Sequence, residues 1–193
     1  MSDDTGFARL VSLACHDLRT PLATVHGFAR TLAREPGLEP PGDRYVEMID
    51  AASAQMAELL EELSLAARIE AGRYEPVRRE VDTLELAREA AARLGEERVT
   101  VSGHGAAIET DVPAVERGLA ALMQSALRHG GLDEVGVEVA GEVVRVAPVT
   151  AASAPVVLGE DLRDLGAAVA ALLVVRLGGS IAVEGETLVV GLR

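Results

Sequence analysis

The chain has 193 residues, enough for one ordinary domain or two small ones that each bury a modest core. Apolar residues make up 49% of it, which excludes a disordered chain. The formal net charge is -13 and no basic stripe offsets it, so we expect no binding to nucleic acid. The single cysteine, Cys15, excludes an intrachain disulfide and a multi-cysteine metal site, and we expect it to be a small, partly buried residue.

The sequence has no obvious membrane or export signal. The longest apolar run, residues 165–175, is interrupted by Gly166 and is too short to cross a bilayer. The first four residues include two aspartates and no basic residue, unlike the start of a secretory signal. We therefore expect a cytoplasmic location and no membrane partner.

The first third of the chain has the periodicity of two long amphipathic helices. Apolar residues recur at alternating spacings of four and three, which is a heptad pattern. The segment 35–42, rich in proline and glycine, interrupts the pattern, and Asp43 is suited to cap the second helix. The seam positions are Phe7, Val11, Ala14, Leu18, Pro21, Val25, Phe28 and Leu32, followed by Tyr45, Ile49, Ala52, Met56, Leu59, Leu63 and Ala66.

Two amphipathic helices joined by a short loop form an antiparallel hairpin, which we place at residues 1–73. One hairpin alone cannot cover its own apolar stripe, whereas two hairpins in a four-helix bundle can. We therefore predict a homodimer. The alternative is that the hairpin packs on the rest of its own chain.

Over residues 77–193 the pattern changes to a mixture of helices and strands. This order predicts a small α/β sandwich, with a mixed sheet and helices on one face. Glycine pairs close two of the helices. The expected helices are 82–94, 112–129 and 161–177, and the expected strands are 98–102, 135–139, 143–149, 180–183 and 187–192.

His16 lies between the seam positions Ala14 and Leu18, so its imidazole is expected to face solvent. A neutral ring nitrogen can attack phosphorus and form a phosphoramidate, which is labile enough to pass the phosphoryl group onward. The carboxylate of Asp17 can accept a hydrogen bond from the other ring nitrogen. This hydrogen bond fixes the tautomer of the ring and makes the attacking nitrogen more basic. Thr20 is one turn away on the same face, and its hydroxyl can orient a water that hydrolyses an acyl phosphate on a docked partner.

The stretch HDLRTPL at residues 16–22 resembles the H-box of sensor histidine kinases, and the two helices resemble their dimerisation and histidine-phosphotransfer domain. In that family the histidine is phosphorylated, the adjacent acid assists its activation, and the threonine supports phosphatase action. The resemblance implies these three roles for His16, Asp17 and Thr20.

Residues 77–193 resemble the ATP-binding domain of the same kinases in the order of elements, but the nucleotide motifs are lost. Where the family has asparagines that hold Mg²⁺ and phosphate, the aligned residues are Ala121 and Ser125. Pro148 takes the place of an aspartate that grips adenine, and Asp164 lies in the remnant of a glycine-rich box, where it would repel a polyphosphate. The segment 150–160 is too short for a nucleotide lid. We expect this chain to bind no cofactor or metal. We expect the partner receiver domain to supply the Mg²⁺.

The resemblance therefore implies a histidine phosphotransfer protein of a bacterial two-component phosphorelay. His16 would pass a phosphoryl group between response-regulator receiver domains without ATP-dependent autokinase activity, and the degenerate domain would serve as a docking surface or bundle support. One alternative is a non-catalytic pseudokinase regulator that binds a receiver domain or a kinase. A second is a divergent active histidine kinase. An upstream histidine kinase is a further candidate partner.

The remaining histidines have no ligand-like spacing. We place His26 on the outer face of the first helix, His104 in a glycine-rich loop, and His129 at a helix C-terminus, where the helix dipole favours a cationic ring. None of them has a carboxylate at metal-ligand spacing, so no metal site is assigned.

Overall fold

A computed structural model of the chain describes residues 4–34 and 42–193. The first three residues, nearly all of the predicted helix-breaking segment 35–42, and the side chains of Phe7, Ala14, Asp17 and Pro21 lie outside the described part. The chain divides into two compact units, Met1–Arg73 and Tyr74–Arg193. The first is helical and the second is a mixed α/β unit, which confirms the predicted fold class.

The first unit is a hairpin of helices α1 (Asp4–Leu32) and α2 (Gly42–Glu70). The helices pack against each other mainly through residues that follow the predicted seam positions by one. These buried or half-buried residues are Cys15, Leu22, His26 and Ala29 on α1, and Val46, Asp50, Ser53, Ala57 and Ala67 on α2.

Most of the large predicted seam residues are exposed in the isolated hairpin. The heptad pattern therefore marks an apolar stripe that lies beside the contact between the two helices, and not the contact itself. This outer stripe, between 44% and 68% exposed, comprises Leu18, Val25, Phe28, Leu32, Tyr45, Met48, Ile49, Met56 and Leu59.

The second unit begins with a buried Tyr74, whose hydroxyl donates to Asp111 Oδ2 at 2.7 Å. Asp111 also caps the longest helix of the unit through the Ala114 N–H. The elements are β1 (Arg79–Asp82), α3 (Thr83–Ala92), β2 (Val99–Gly105), β3 (Ala107–Thr110), α4 (Val112–Gly130), β4 (Val135–Gly141), β5 (Val143–Ala147), α5 (Ala154–Val157), α6 (Leu165–Arg176), β6 (Ser180–Glu184) and β7 (Thr187–Gly191).

A five-stranded mixed sheet in the order β2-β4-β5-β7-β6 forms the centre of this unit, with β2 and β4 parallel and the other neighbours antiparallel. Burial alternates along β4, where residues 135, 137 and 139 are buried and 136 and 138 are exposed. One face of the sheet is therefore covered and the other is open. The largest fully buried side chains are Leu86, Leu119, Leu122, Met123, Leu127, Leu173, Leu188, Val115, Val135, Val137, Val139 and Val144.

Some local predictions were wrong. His104 lies on β2 and not in a loop, because Gly103 has a φ of 106° and its missing Cβ lets β2 stay in register with β4. The predicted helix 161–177 begins only at Leu165, since Asp164 caps it, and the short helix α5 precedes it. The sequence pattern does not indicate the two-stranded sheet of β1 and β3, because each strand has only four residues.

Candidate functional site

His16 is exposed on α1, next to a cysteine that faces the interior of the hairpin. The Cys15 side chain is only 1% exposed, and burial raises the pKa of its thiol, although the positive charge of Arg19 partly opposes that rise. Consecutive helical residues point about 100° apart, so burying Cys15 turns His16 toward the surface. The imidazole is thereby accessible to another protein.

Thr20 lies one turn after His16 on α1 and is also exposed. The hydroxyls of Thr24 and Thr31, further along the helix, donate to the carbonyl oxygens of Thr20 and Gly27 at 3.1 and 2.9 Å. Within the described part of the chain, no hydrogen bond engages the Thr20 hydroxyl in this way. Because His16 and Thr20 are four residues apart and both exposed, an imidazole ring and a hydroxyl lie on one accessible face of α1.

His26 faces α2, in contrast to its predicted place on the outer face of α1. Its Nδ1 lies 3.3 Å from Asp50 Oδ1. It is therefore part of the contact between the two helices of the hairpin.

The nucleotide-motif positions of the second unit lie on α4 and on the segments that flank α5. Ser125 is 0% exposed, and its hydroxyl has no hydrogen-bond partner among the described residues. Ala121, one turn earlier, is partly exposed, and Pro148 is exposed just after β5. Ser125 is closed to solvent, and neither Ala121 nor Pro148 offers a side-chain ligand.

The segment 150–160, predicted to be too short for a lid, is folded onto the body of the second unit. Ser153 and Thr150 hold a turn through a 3.0 Å hydrogen bond from the Thr150 N–H to Ser153 Oγ. Val156 and Val157 on α5 are both fully buried. Gly159 passes α6 so closely that a Cβ there would lie 3.3 Å from the Cα of Ala168.

Asp164 has a structural role that the sequence pattern indicates only in part. Its Oδ1 accepts the N–H of Ala167 at 3.1 Å, which caps α6, and its Oδ2 lies 3.3 Å from His129 Nε2. An aspartate directly before an apolar run is a cap signal, but the contact with His129 joins residues 35 apart. Only the fold brings them together.

Residues 4–34 and 42–193 contain no group of three or more His, Cys, Asp or Glu side chains that could hold a metal ion. None of the helices described is both long and apolar enough to cross a membrane.

Residues 8–72 match the family model of the His Kinase A (phospho-acceptor) domain. Full-length ShkA in complex with AMPPNP is similar to this chain with a TM-score of 0.68 and 21% identity, covering 94% of this chain and 44% of ShkA. The Acinetobacter baumannii histidine kinase AdeS gives a TM-score of 0.56 and 18% identity, covering 91% and 94%. The chain has the fold of a histidine kinase.

Within this histidine kinase fold, His16, Asp17 and Thr20 all lie in the segment that matches the phospho-acceptor domain. The ATP-binding domain of PrrB from Mycobacterium tuberculosis is similar over 61% of this chain and 96% of its own length, with a TM-score of 0.48 and 23% identity. The chain spans less than half of the length of ShkA. No curated protein sequence matches it.

Proposed function

We propose that the chain is a histidine phosphotransfer protein of a bacterial two-component phosphorelay. In this role it carries a phosphoryl group between response-regulator receiver domains on His16, without ATP-dependent autokinase activity. The observation that carries the proposal is a contrast within one kinase fold: His16 is exposed in an intact H-box, whereas Ser125 in the second unit is fully buried.

The transfer step uses a ring nitrogen of His16 as the nucleophile. The nitrogen lone pair attacks the phosphorus of a receiver aspartyl phosphate, a P–N bond forms, and the P–O bond breaks to leave the aspartate carboxylate. The reverse reaction on a second receiver returns the group to an aspartate. An exposed ring on a long helix suits this exchange, because the donor and acceptor are other proteins. We assign Asp17 to activation of the ring and Thr20 to hydrolysis of the receiver phosphate.

The residues at the nucleotide-motif positions do not fit ATP. A metal-bound polyphosphate needs oxygen or amide ligands and neutralising donors. Ala121 has neither, Ser125 is buried, and Pro148 has no side-chain donor or acceptor. The carboxylate of Asp164 adds a negative charge beside α6. We therefore assign no nucleotide or metal to this chain and derive no step through one; the receiver supplies the Mg²⁺ of the transfer.

A homodimer is the second part of the proposal. The outer stripe of the hairpin presents large apolar side chains along both α1 and α2, and Phe28 alone is 68% exposed. Apolar stripes of this kind are covered in four-helix bundles by a second hairpin. The phospho-acceptor domain match supports the same arrangement. A cytoplasmic location fits the proposed partners, which are receiver domains and an upstream histidine kinase.

Phosphate transfer from two sources tests the proposal. The full chain is incubated with radiolabelled ATP and Mg²⁺, and separately with receiver domains of the source organism phosphorylated by radiolabelled acetyl phosphate. We expect label from a receiver but not from ATP, in an acid-labile bond that is lost in His16→Gln. The matched control is His104→Gln, the same change at an exposed histidine outside the hairpin.

Each other outcome has a definite meaning. Label from ATP would refute the absence of autokinase activity and favour a divergent kinase. Tight receiver binding without label from either source would favour a non-catalytic regulator. Label that persists in His16→Gln would assign the phosphoryl group to another residue.

A further inference from the structure

Strand β6 forms one edge of the five-stranded sheet and pairs with β7 in an unbroken antiparallel register. The turn between them has two residues, so Glu184 and Thr187, which flank it, form a hydrogen-bonded pair. Bonded and non-bonded pairs alternate from there, so the backbone N–H and C=O groups of Ile181 and Val183 point away from β7. Within the part of the chain that the structure describes, no further strand pairs with this edge.

The middle of β6 has no feature that protects an edge strand. Sheet edges are usually protected from further pairing by charged residues, proline or a bulge. The central residues of β6 are Ile181, Ala182 and Val183, and its register with β7 has no bulge. The opposite edge strand, β2, has an irregular backbone at Gly103, where φ is 106°, followed by the exposed His104. Of the two edges, β6 is therefore the one suited to pairing with another strand.

The covered face of the sheet is less complete at β6 than at its centre. Ile181 and Val183 are half-buried, although the β7 residues opposite them are fully buried. Helix α6 contacts β6, and its Leu172 and Val175 side chains are exposed. A strand added along β6 would therefore bury apolar surface as well as satisfy backbone groups.

The sequence of β6 is complementary to itself when two copies run antiparallel. With Ala182 on the two-fold axis, Ile181 of each copy lies opposite Val183 of the other. These are the residues whose N–H and C=O groups point outward, so each such pair can exchange both N–H···O bonds. Paired β-branched side chains on the covered face stabilise a sheet, and only two small alanine side chains meet on the open face.

The charges at the two ends of β6 favour the same pairing. Arg176, in the last turn of α6 before the strand, is exposed and has no ion-pair partner among the described residues. Glu184 at the end of the strand and Glu186 in the turn are exposed as well. In an antiparallel pair the start of each strand lies near the end of the other, so opposite charges come together at both ends. A chain with a net charge of -13 needs such local attraction to associate with itself.

We propose that β6 is a self-association site, at which the β6 strands of two copies pair antiparallel about Ala182 and join two sheets into one. This contact uses the second unit and not the outer stripe of the hairpin, and it goes beyond the proposed phosphotransfer function without depending on it. A pair of five-residue strands buries less area than a standard interface. We therefore expect a weak contact, with a dissociation constant on the order of 100 µM.

The test is sedimentation of the full chain carrying Phe28→Glu, which disrupts the hairpin dimer and leaves β6 unchanged. We expect monomers at about 10 µM and a growing dimer fraction up to about 500 µM. Addition of Ala182→Lys should abolish this association, because two like charges would meet on the axis, while the exposed position tolerates lysine. The matched control is Ala107→Lys, the same change at an exposed position of β3, which should associate like the parent. A parent that stays monomeric, or equal association with Ala182→Lys, would overturn the proposal.

An exchange of charges tests the antiparallel direction. Arg176→Glu should raise the dissociation constant about tenfold, because an attraction at each end of the strand pair becomes a repulsion. Addition of Glu184→Arg to the same chain should restore most of the association, since opposite charges then meet again with their signs exchanged. Association that stays weak in the double variant would overturn the antiparallel pairing.

Amide hydrogen exchange provides a measurement that needs no substitution in β6. In the Phe28→Glu chain, protection of the Ile181 and Val183 amides should increase between the same two concentrations, whereas that of His104 on the opposite edge strand should not change. Exchange at Ile181 and Val183 that is independent of concentration would overturn the proposal. Failure of a receiver to label His16 would refute the proposed function and leave this result unaffected.

Discussion

The Nδ1 atom of His26 on α1 lies 3.3 Å from the Oδ1 atom of Asp50 on α2. Both atoms are buried, and within the described residues neither has a hydrogen bond of good geometry. The two polar groups therefore face each other inside a mostly apolar helix contact. Such a pair specifies register, because sliding either helix by one turn separates the two groups.

Removal of one member of this pair should destabilise the hairpin. Asp50→Leu leaves His26 Nδ1 buried without a partner, and we expect a loss of about 1–2 kcal/mol in the free energy of unfolding. The double variant with His26→Leu should recover part of the loss. Because the side chains are 30% and 35% exposed, we expect a coupling energy of only about 0.5–1 kcal/mol. A double-mutant cycle in urea measures it, and additive losses would contradict the pairing.

A charge in the outer stripe should dissociate the proposed homodimer. Phe28→Glu places a carboxylate in the interface twice, once from each copy, so we expect the dissociation constant to rise at least about 100-fold. Light scattering at micromolar concentration measures the oligomeric state. Ala23→Glu adds the same charge on the opposite side of α1 and should remain dimeric. A wild-type monomer under these conditions would contradict the dimer itself.

Much of the fold follows from the sequence, because strong periodicity and end signals are local. The heptad pattern predicts both long helices, and Asp111 and Gly131 mark the two ends of α4. The face on which each helix packs depends on residues that are distant in sequence, so it is harder to predict. The hairpin contact is offset by one residue from the predicted seam, because periodicity identifies an apolar stripe but not the neighbour against which it packs.

In the candidate site too, residues close in sequence could be predicted, whereas contacts between remote residues could not. The short segment 16–22 contains His16 and Thr20, and a helix places both on one face, so sequence reasoning finds them together. The contact between His129 and Asp164 joins two helices that are remote in sequence. The negative charge of Asp164 predicts repulsion of a polyphosphate. Only the fold reveals that the Ala167 N–H and the His129 ring contact its carboxylate.

The buried thiol of Cys15 should make stability depend on alkaline pH. Burial raises its pKa, so the folded state disfavours the thiolate more than the unfolded state does. The contribution of the buried neutral thiol to the free energy of unfolding is therefore fully present at neutral pH, and it is lost as pH rises through the raised pKa. Urea unfolding at pH 7 and pH 10 should therefore show a larger loss in the wild type than in Cys15→Ala. Equal losses of stability in the two proteins would contradict the raised pKa of Cys15. Rapid alkylation of the folded wild type at pH 7 would also contradict it.

Replacement of Thr20 should separate hydrolysis from transfer. In Thr20→Ala the hydroxyl to which we assign the orientation of the attacking water is absent, while the His16 ring is unchanged. We expect dephosphorylation of a phosphorylated receiver to slow about tenfold, the value of one hydrogen bond of about 1.4 kcal/mol, with little change in transfer to His16. Thr24→Ala is the matched control, since the Thr24 hydroxyl is bonded to the Thr20 carbonyl oxygen. Receiver dephosphorylation at the wild-type rate in Thr20→Ala would remove Thr20 from the site, whereas equal slowing in both variants would indicate a disturbance of the helix.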